Sequence, residues 1–95
     1  MAAYLIAEVQ IRDPEGYEEY KQLVRTAIEQ FGGRYLARGG RVEQLEGDGD
    51  PARLVVIEFE SFERARAFWE SEAYREAKAI RHRTASSRLL LVEGM

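Results

Sequence analysis

Ala3-Tyr4-Leu5-Ile6-Ala7-Glu8-Val9-Gln10-Ile11, followed by Arg12 and then Asp13-Pro14-Glu15, is the stretch that decides the fold. Its first nine residues alternate with period two, so Ala3, Leu5, Ala7, Val9 and Ile11 share one face of a strand and Tyr4, Ile6, Glu8 and Gln10 the other. Asp13 then supplies a helix N-cap, Pro14 fits the first helical position, and Glu15 places negative charge where the first amides are unpaired. Tyr17, Tyr20, Val24, Ala27, Ile28 and Phe31 recur along one helical stripe until Gly32-Gly33 stops it.

Outward from this β-α start the same reading continues. Arg34 to Arg38 is a short strand, with Val42 to Glu46 as its expected continuation beyond a bulge at Gly39-Gly40. Turn formers crowd into Gly47-Asp48-Gly49-Asp50-Pro51, a hairpin tip, and a third strand follows from Arg53 to Glu60. Ser61 caps a second helix with Phe62, Ala65, Phe68 and Trp69 on its apolar side. Ser71 interrupts that helix and recaps it through Ala73, Tyr74, Ala77 and Ile80 to about Arg83, and Arg88 to Glu93 forms a fourth strand. The order β-α-β-β-α-β predicts an α+β, ferredoxin-like domain over residues 1–95, with two helices on one face of a four-stranded antiparallel sheet.

The opposite face of that sheet carries Tyr4, Ile6, Leu54 and Val56 beside Glu8 and Glu58, too apolar a surface to face water. The chain's own helices are used on the first face, so a second copy is expected to cover this one by two-fold symmetry. Glu8 and Glu58 then lie at the seam, where Arg34 or Arg38 can neutralise them.

Composition bounds the chemistry. The 95 residues hold one core. They are 45% apolar and 33% charged, with a net charge of -3, which argues against a nucleic-acid partner. No apolar run approaches membrane-spanning length and no leader precedes Tyr4, so a cytoplasmic protein is expected. Cysteine is absent, which excludes thiol nucleophiles and thiolate metal sites. His82 is the single histidine, too little for an ordinary metal set, and no cofactor is implied, one axial histidine for haem being the residual alternative.

The segment Gly32-Gly33-Arg34-Tyr35-Leu36-Ala37-Arg38-Gly39-Gly40, with Leu45-Glu46-Gly47, Leu54 to Phe59 and Ala67-Phe68-Trp69-Glu70-Ser71, resembles the domain of unknown function 1330 family over nearly the whole chain. The resemblance implies the dimeric α+β barrel, in which two ferredoxin-like protomers stack their sheets. Cofactor-independent quinol monooxygenases, haem-degrading monooxygenases, muconolactone isomerases and stress-responsive barrels share that fold.

The candidate chemistry follows from residue type. His82 is the side chain able to act as a general acid or base near neutrality, with Arg81 to bind an anion or stabilise an enolate; an exposed imidazole favouring the helix end is the plain alternative. Alternation sends Arg34 and Arg38 to one face, where they clamp an anion or pair with glutamates. Tyr35, Trp69 and Tyr74 line a pocket or simply pack the core. Glu8 and Glu58 form a carboxylate pair or separate salt bridges. Asp48 and Asp50 have calcium-loop spacing without the remaining ligands, so hairpin polarity explains them better. The expected function is small-molecule binding, with cofactor-independent monooxygenase- or isomerase-like turnover of an aromatic or enolisable organic acid. A noncatalytic ligand-binding or stress-associated dimer is the alternative.

Overall fold

The computed structural model describes residues 1–95. Strand β1 (Ala3–Ile11) leads into helix α1 (Pro14–Gln30), then strands β2 (Arg34–Arg38) and β3 (Arg53–Phe59), helices α2 (Phe62–Glu70) and α3 (Glu72–Thr84), and strand β4 (Ala85–Glu93). All pairings are antiparallel and the sheet order is β2-β3-β1-β4. The helices lie on one face of this sheet, which is the ferredoxin-like arrangement.

The caps act as their residue types dictate. Asp13 accepts from the Gly16 amide at 3.2 Å, and the Arg12 and Asp13 amides both donate to the Thr84 carbonyl, tying the start of α1 to the end of α3. Gly16 permits that approach, since a Cβ there would sit 2.6 Å from Thr84 Cγ2. Ser61 caps α2 through the Arg64 amide at 3.0 Å. Ser71 does two things: its hydroxyl donates to the Phe68 carbonyl at 2.7 Å and accepts from the Tyr74 amide at 3.2 Å. With Ser71 in an extended conformation, the expected second helix becomes two, and the observed order is β-α-β-β-α-α-β.

Leu5, Val55, Ile57 and Phe59 of the sheet pack against Val24, Ala27, Ile28, Ala65, Phe68, Tyr74 and Ala77 of the helices. Ile11, expected on this face, lies at the end of β1 beyond helix cover and is 37% exposed.

Three strand boundaries differ from expectation. Val42 to Glu46 forms no strand, and β3 ends at Phe59. Strand β4 begins at Ala85, because Ala85 to Ser87 already pair with β1. The irregularity in β2 falls at Leu36 rather than at the glycine pair: Tyr35 opposes Ile57, but Ala37 opposes Val56 and Arg38 opposes Val55. One extra residue turns everything after it to the other face. Arg34 therefore lies on the helix-free face and Arg38 beneath the helices, so the two do not share a face.

On the helix-free face the registers bring Leu90, Ile6, Val56 and Ala37 into one row, with Val92 and Tyr4 beside it. Arg34 pairs with Glu58 at 2.8 Å at one corner and Arg88 with Glu8 at 3.7 Å at another. Glu58 opposes Tyr4, four residues along β1 from Glu8, so the backbone positions of the two are offset by ~13 Å along the strand at ~3.3 Å per residue. They do not form an acid–base pair.

Candidate functional site

Between α1 and the sheet lies a cavity of about 30 Å³. Its floor is the inner face of β1 and β3, where Ala7 stands between Leu5 and Val9 and opposite Val55. The short Ala7 side chain leaves unfilled the space that a larger residue would take. Tyr17, Tyr20, Val24 and Ile28 come down from α1, Tyr35 and Arg38 close the β2 side, and Phe68, Tyr74 and Leu89 complete the wall. The lining is apolar apart from phenol hydroxyls, Lys21, Arg38 and Arg53.

A chain of polar groups crosses the helical layer behind the cavity. Tyr20 Oη and Tyr74 Oη are 3.1 Å apart, Arg81 Nε donates to Tyr74 Oη at 3.2 Å, and Arg81 also donates to Ser87 Oγ. Arg81 is only 4% exposed and has no carboxylate partner. Arg81 can only donate, so Tyr74 oxygen accepts. Tyr74 is 1% exposed, and its hydroxyl shares a second hydrogen bond with Tyr20. Burial raises the Tyr20 phenol far above its usual range, with the Tyr74 hydroxyl adding to the effect and Arg81 opposing it. Burial likewise raises Tyr17 and Tyr35, against the lowering pull of Arg53 on the first and Arg38 on the second. The phenols are therefore neutral donors at ordinary pH.

The mouth is cationic. Arg38 Cζ stacks 4.6 Å from the centroid of Tyr35, and its one hydrogen bond is a long 3.4 Å contact to the Lys21 carbonyl. Arg53 approaches the Tyr17 ring at 5.9 Å. Lys21, Arg38 and Arg53 belong both to the cavity wall and to a polar groove outside it that also contains Glu18 and Arg25.

Of the residues singled out by sequence, Tyr35, Arg38 and Tyr74 meet in the wall, and Arg81 stands one hydrogen bond behind. Trp69 and His82 do not reach it. Phe68 and Ala65 take the inward positions of α2, leaving Trp69 39% exposed in a separate groove between α2 and β4, with the Lys78 ammonium 3.7 Å above its ring. His82 is exposed near the C-terminus of α3; partial burial, then Arg81 and Lys78, lower its pKa below 6.5. Arg81 and Thr84 occupy the buried side of that turn, which leaves His82 on the exposed side. Sequence reading passed over Arg53, although its parity with Val55, Ile57 and Phe59 puts a charge on the buried face. No group of three or more His, Asp or Glu side chains is arranged to hold a metal ion, and no helix is long and apolar enough to cross a membrane.

Fold and cavity together define a ferredoxin-like α+β protein whose single helical layer encloses a small aromatic-lined site. The chain belongs to the family described as domain of unknown function (DUF1330), whose model matches residues 2–95. No curated protein matches its sequence. Among solved structures it is similar to RPA0582, a protein of unknown function from Rhodopseudomonas palustris, at 21% identity and a TM-score of 0.79, covering 99% of this chain and 82% of that one. It is similar to SnoaB, a cofactor-independent oxygenase from Streptomyces nogalater, at 9% identity and TM-score 0.71, covering 99% and 93%. It is also similar to a dimeric protein of unknown function and ferredoxin-like fold from Bacteroides fragilis, at 13% identity and TM-score 0.65, covering 98% and 96%. At these identities the likeness is one of fold.

Proposed function

We propose that this chain is a cytoplasmic homodimer of the dimeric α+β barrel type that binds a small aromatic or enolisable organic acid, and turns it over without a cofactor by monooxygenase- or isomerase-like chemistry. The observation that carries the reading is the tyrosine-lined cavity whose mouth holds Arg38 without a carboxylate partner. A concave apolar site with a few convergent polar groups is the usual form of a small-molecule site. Tyr35, Arg38 and Tyr74 would contact the ligand, and Arg81 would act through Tyr74. Neutral phenols in the wall and a nearby guanidinium favour negative charge developing on a substrate oxygen, as an enolate requires. SnoaB, described as a cofactor-independent oxygenase, lends the fold a precedent for such turnover.

The dimer rests on the helix-free face, where Leu90 and Val92 are 43% and 48% exposed beside Ile6, Val56, Leu54 and Tyr4, and nothing in the chain covers them. The similar Bacteroides fragilis protein is described as dimeric. A noncatalytic ligand-binding or stress-associated dimer is the second reading, favoured by the position of His82: with it outside the wall, no group that ordinarily titrates near neutrality lines the cavity.

Native mass spectrometry of gently purified protein, repeated under denaturing conditions, tests both parts. The expected result is a dimer carrying a small organic component that denaturation releases. A monomer at micromolar concentration would remove the reading of the helix-free face. A dimer without cargo that turns over none of a panel of aromatic and enolisable acids would leave the noncatalytic reading standing.

A further inference from the structure

We propose that Arg53, with Arg38 beside it, is the carboxylate receptor of the cavity, and that the ligand is a monocarboxylate seated with its apolar body inward and its acid group at the mouth. This rests on the reading of the cavity as a ligand site. It adds a residue that the sequence reading did not assign, and an orientation.

Arg53 opens β3 opposite Val9, on the face that buries Val55, Ile57 and Phe59. A guanidinium on such a face is costly unless something offsets its charge. No carboxylate in the chain does: Arg53 makes no ion pair, its Nε is buried without a hydrogen-bond partner, and its polar contact is with Tyr17, through the ring and the neutral phenol. The backbone nonetheless keeps room for it. Gly39 has φ +68, and a Cβ at that position would run into the Arg53 guanidinium. The Gly39 amide donates to the Leu54 carbonyl at 2.9 Å, holding this bare stretch of chain against β3.

Arg38 brings a second unneutralised guanidinium to the same place. It opposes Val55, two residues from Arg53 on one face of the sheet, so the two side chains are diagonal neighbours. Like charges placed so repel unless an anion lies between them. The nearby acids are engaged elsewhere, Glu18 with Lys21 at 2.9 Å and Glu29 with Arg25 at 3.4 Å. Because both arginines line the apolar cavity as well as the outer groove, an anion between them sits at the boundary of the two. The remainder of its molecule has an apolar space on one side and water on the other. Apart from the two arginines and Lys21, which Glu18 already holds, the cavity wall is hydroxyls and hydrocarbon, so it offers no free cation for a second carboxylate and makes the inward part of the ligand apolar.

The test titrates isotope-labelled protein with benzoate, phenylacetate and hexanoate, with the primary amide of each, and with inorganic phosphate, reading the methyl resonances of Val24 and Val55. The acids are expected to saturate these shifts and the amides to bind about tenfold or more weaker, the loss expected for charge-assisted bonds. Phosphate should leave the methyls unmoved. Arg53→Gln should lower acid affinity by a similar factor and leave amide affinity unchanged, whereas Arg66→Gln, altering an exposed pair with Glu70, should change neither. Equal binding of acids and amides to the wild-type protein, or undiminished acid binding by a folded Arg53→Gln variant, would overturn the receptor while leaving the cavity a ligand site. Failure of every acid and amide to move the methyls would remove the ligand site and the receptor together.

Discussion

Replacing Tyr74 by Phe deletes one oxygen and keeps the ring, which packs 4.5 Å from Phe68. What is lost is the acceptor for Arg81 Nε and the partner of the Tyr20 hydroxyl. Arg81 is 4% exposed, so water does not replace the missing acceptor. A hydrogen bond to a charged group contributes about 1.5–3 kcal/mol, and leaving a buried donor unpaired exacts the upper part of that range. The Tyr20 bond adds less, because Tyr20 borders the cavity and its hydroxyl can find water there. The expected destabilisation is therefore about 2–3 kcal/mol, or roughly 8–24 °C in Tm for a domain of this size. Tyr20→Phe removes only a neutral bond, leaves the Arg81 contact intact, and should cost about 0.5–1.5 kcal/mol. Adding Arg81→Met to Tyr74→Phe should recover part of the loss, since removing both partners is milder than stranding one. Urea and thermal unfolding at one fixed protein concentration measure all four proteins, concentration being held because a dimer's Tm depends on it. A Tyr74→Phe variant within about 0.5 kcal/mol of wild type, or less affected than Tyr20→Phe, would refute the role given to the Arg81–Tyr74 bond.

Three further outcomes are expected. Val56→Lys places a cation in the middle of the apolar row on the helix-free face and should yield a folded monomer by sedimentation; a stable dimer would show that this face is not the seam. Because the His82 pKa is lowered in the folded chain, the unfolded chain takes up the proton first, so His82 should erode stability as pH falls through 6.5, with the effect levelling beneath the folded value. His82→Gln should flatten that part of a urea-midpoint profile, and an unchanged slope would contradict it. Tyr17, Tyr20 and Tyr35 are raised above 10.0, so the folded state holds protons the unfolded state releases, and stability should fall as pH rises beyond that value. Phenolate absorbance should then appear together with loss of ellipticity; full ionisation of all five tyrosines in a folded chain would exclude it.

Elements whose signals are local could be read from sequence, because a cap or a period-two run depends on neighbours in the chain. Asp13-Pro14, Ser61 and Ser71 each act where their types predict. The family was legible from the glycine-flanked β2 segment and the Leu54 to Phe59 strand, and its model covers the chain. The site was legible only in part. Tyr35, Arg38 and Tyr74 meet, but Trp69 and His82 were chosen for their chemistry, and burial is decided by helical phase. Tyr74, Ala77, Arg81 and Thr84 lie along one stripe of α3 and are all buried, so the arginine seven residues after Tyr74 belongs to the interior and its neighbour His82 does not. Arg53 was equally visible by parity on β3.

The bulge at Leu36 is the step that local reading could not supply, and it links the two faces of the sheet. An unbroken β2 would set Leu36 against Val56, Ala37 against Val55 and Arg38 against Leu54, leaving both arginines on the helix-free face. Arg38 would then add a charge to the surface proposed as the dimer seam, and Arg53 would face the cavity alone. With the extra residue, Arg34 stays outside to neutralise Glu58, Leu36 is left 49% exposed without a place in the ladder, and Arg38 arrives over Tyr35 at the cavity mouth. The exposed leucine is the cost of the arrangement. No positive φ is needed to make it, since Gly39 takes its left-handed turn only after Arg38 is placed. One inserted residue in a five-residue strand thereby separates a charge that serves the outer surface from a charge that serves the interior. Alternation without that residue cannot produce this division from the same sequence of side chains.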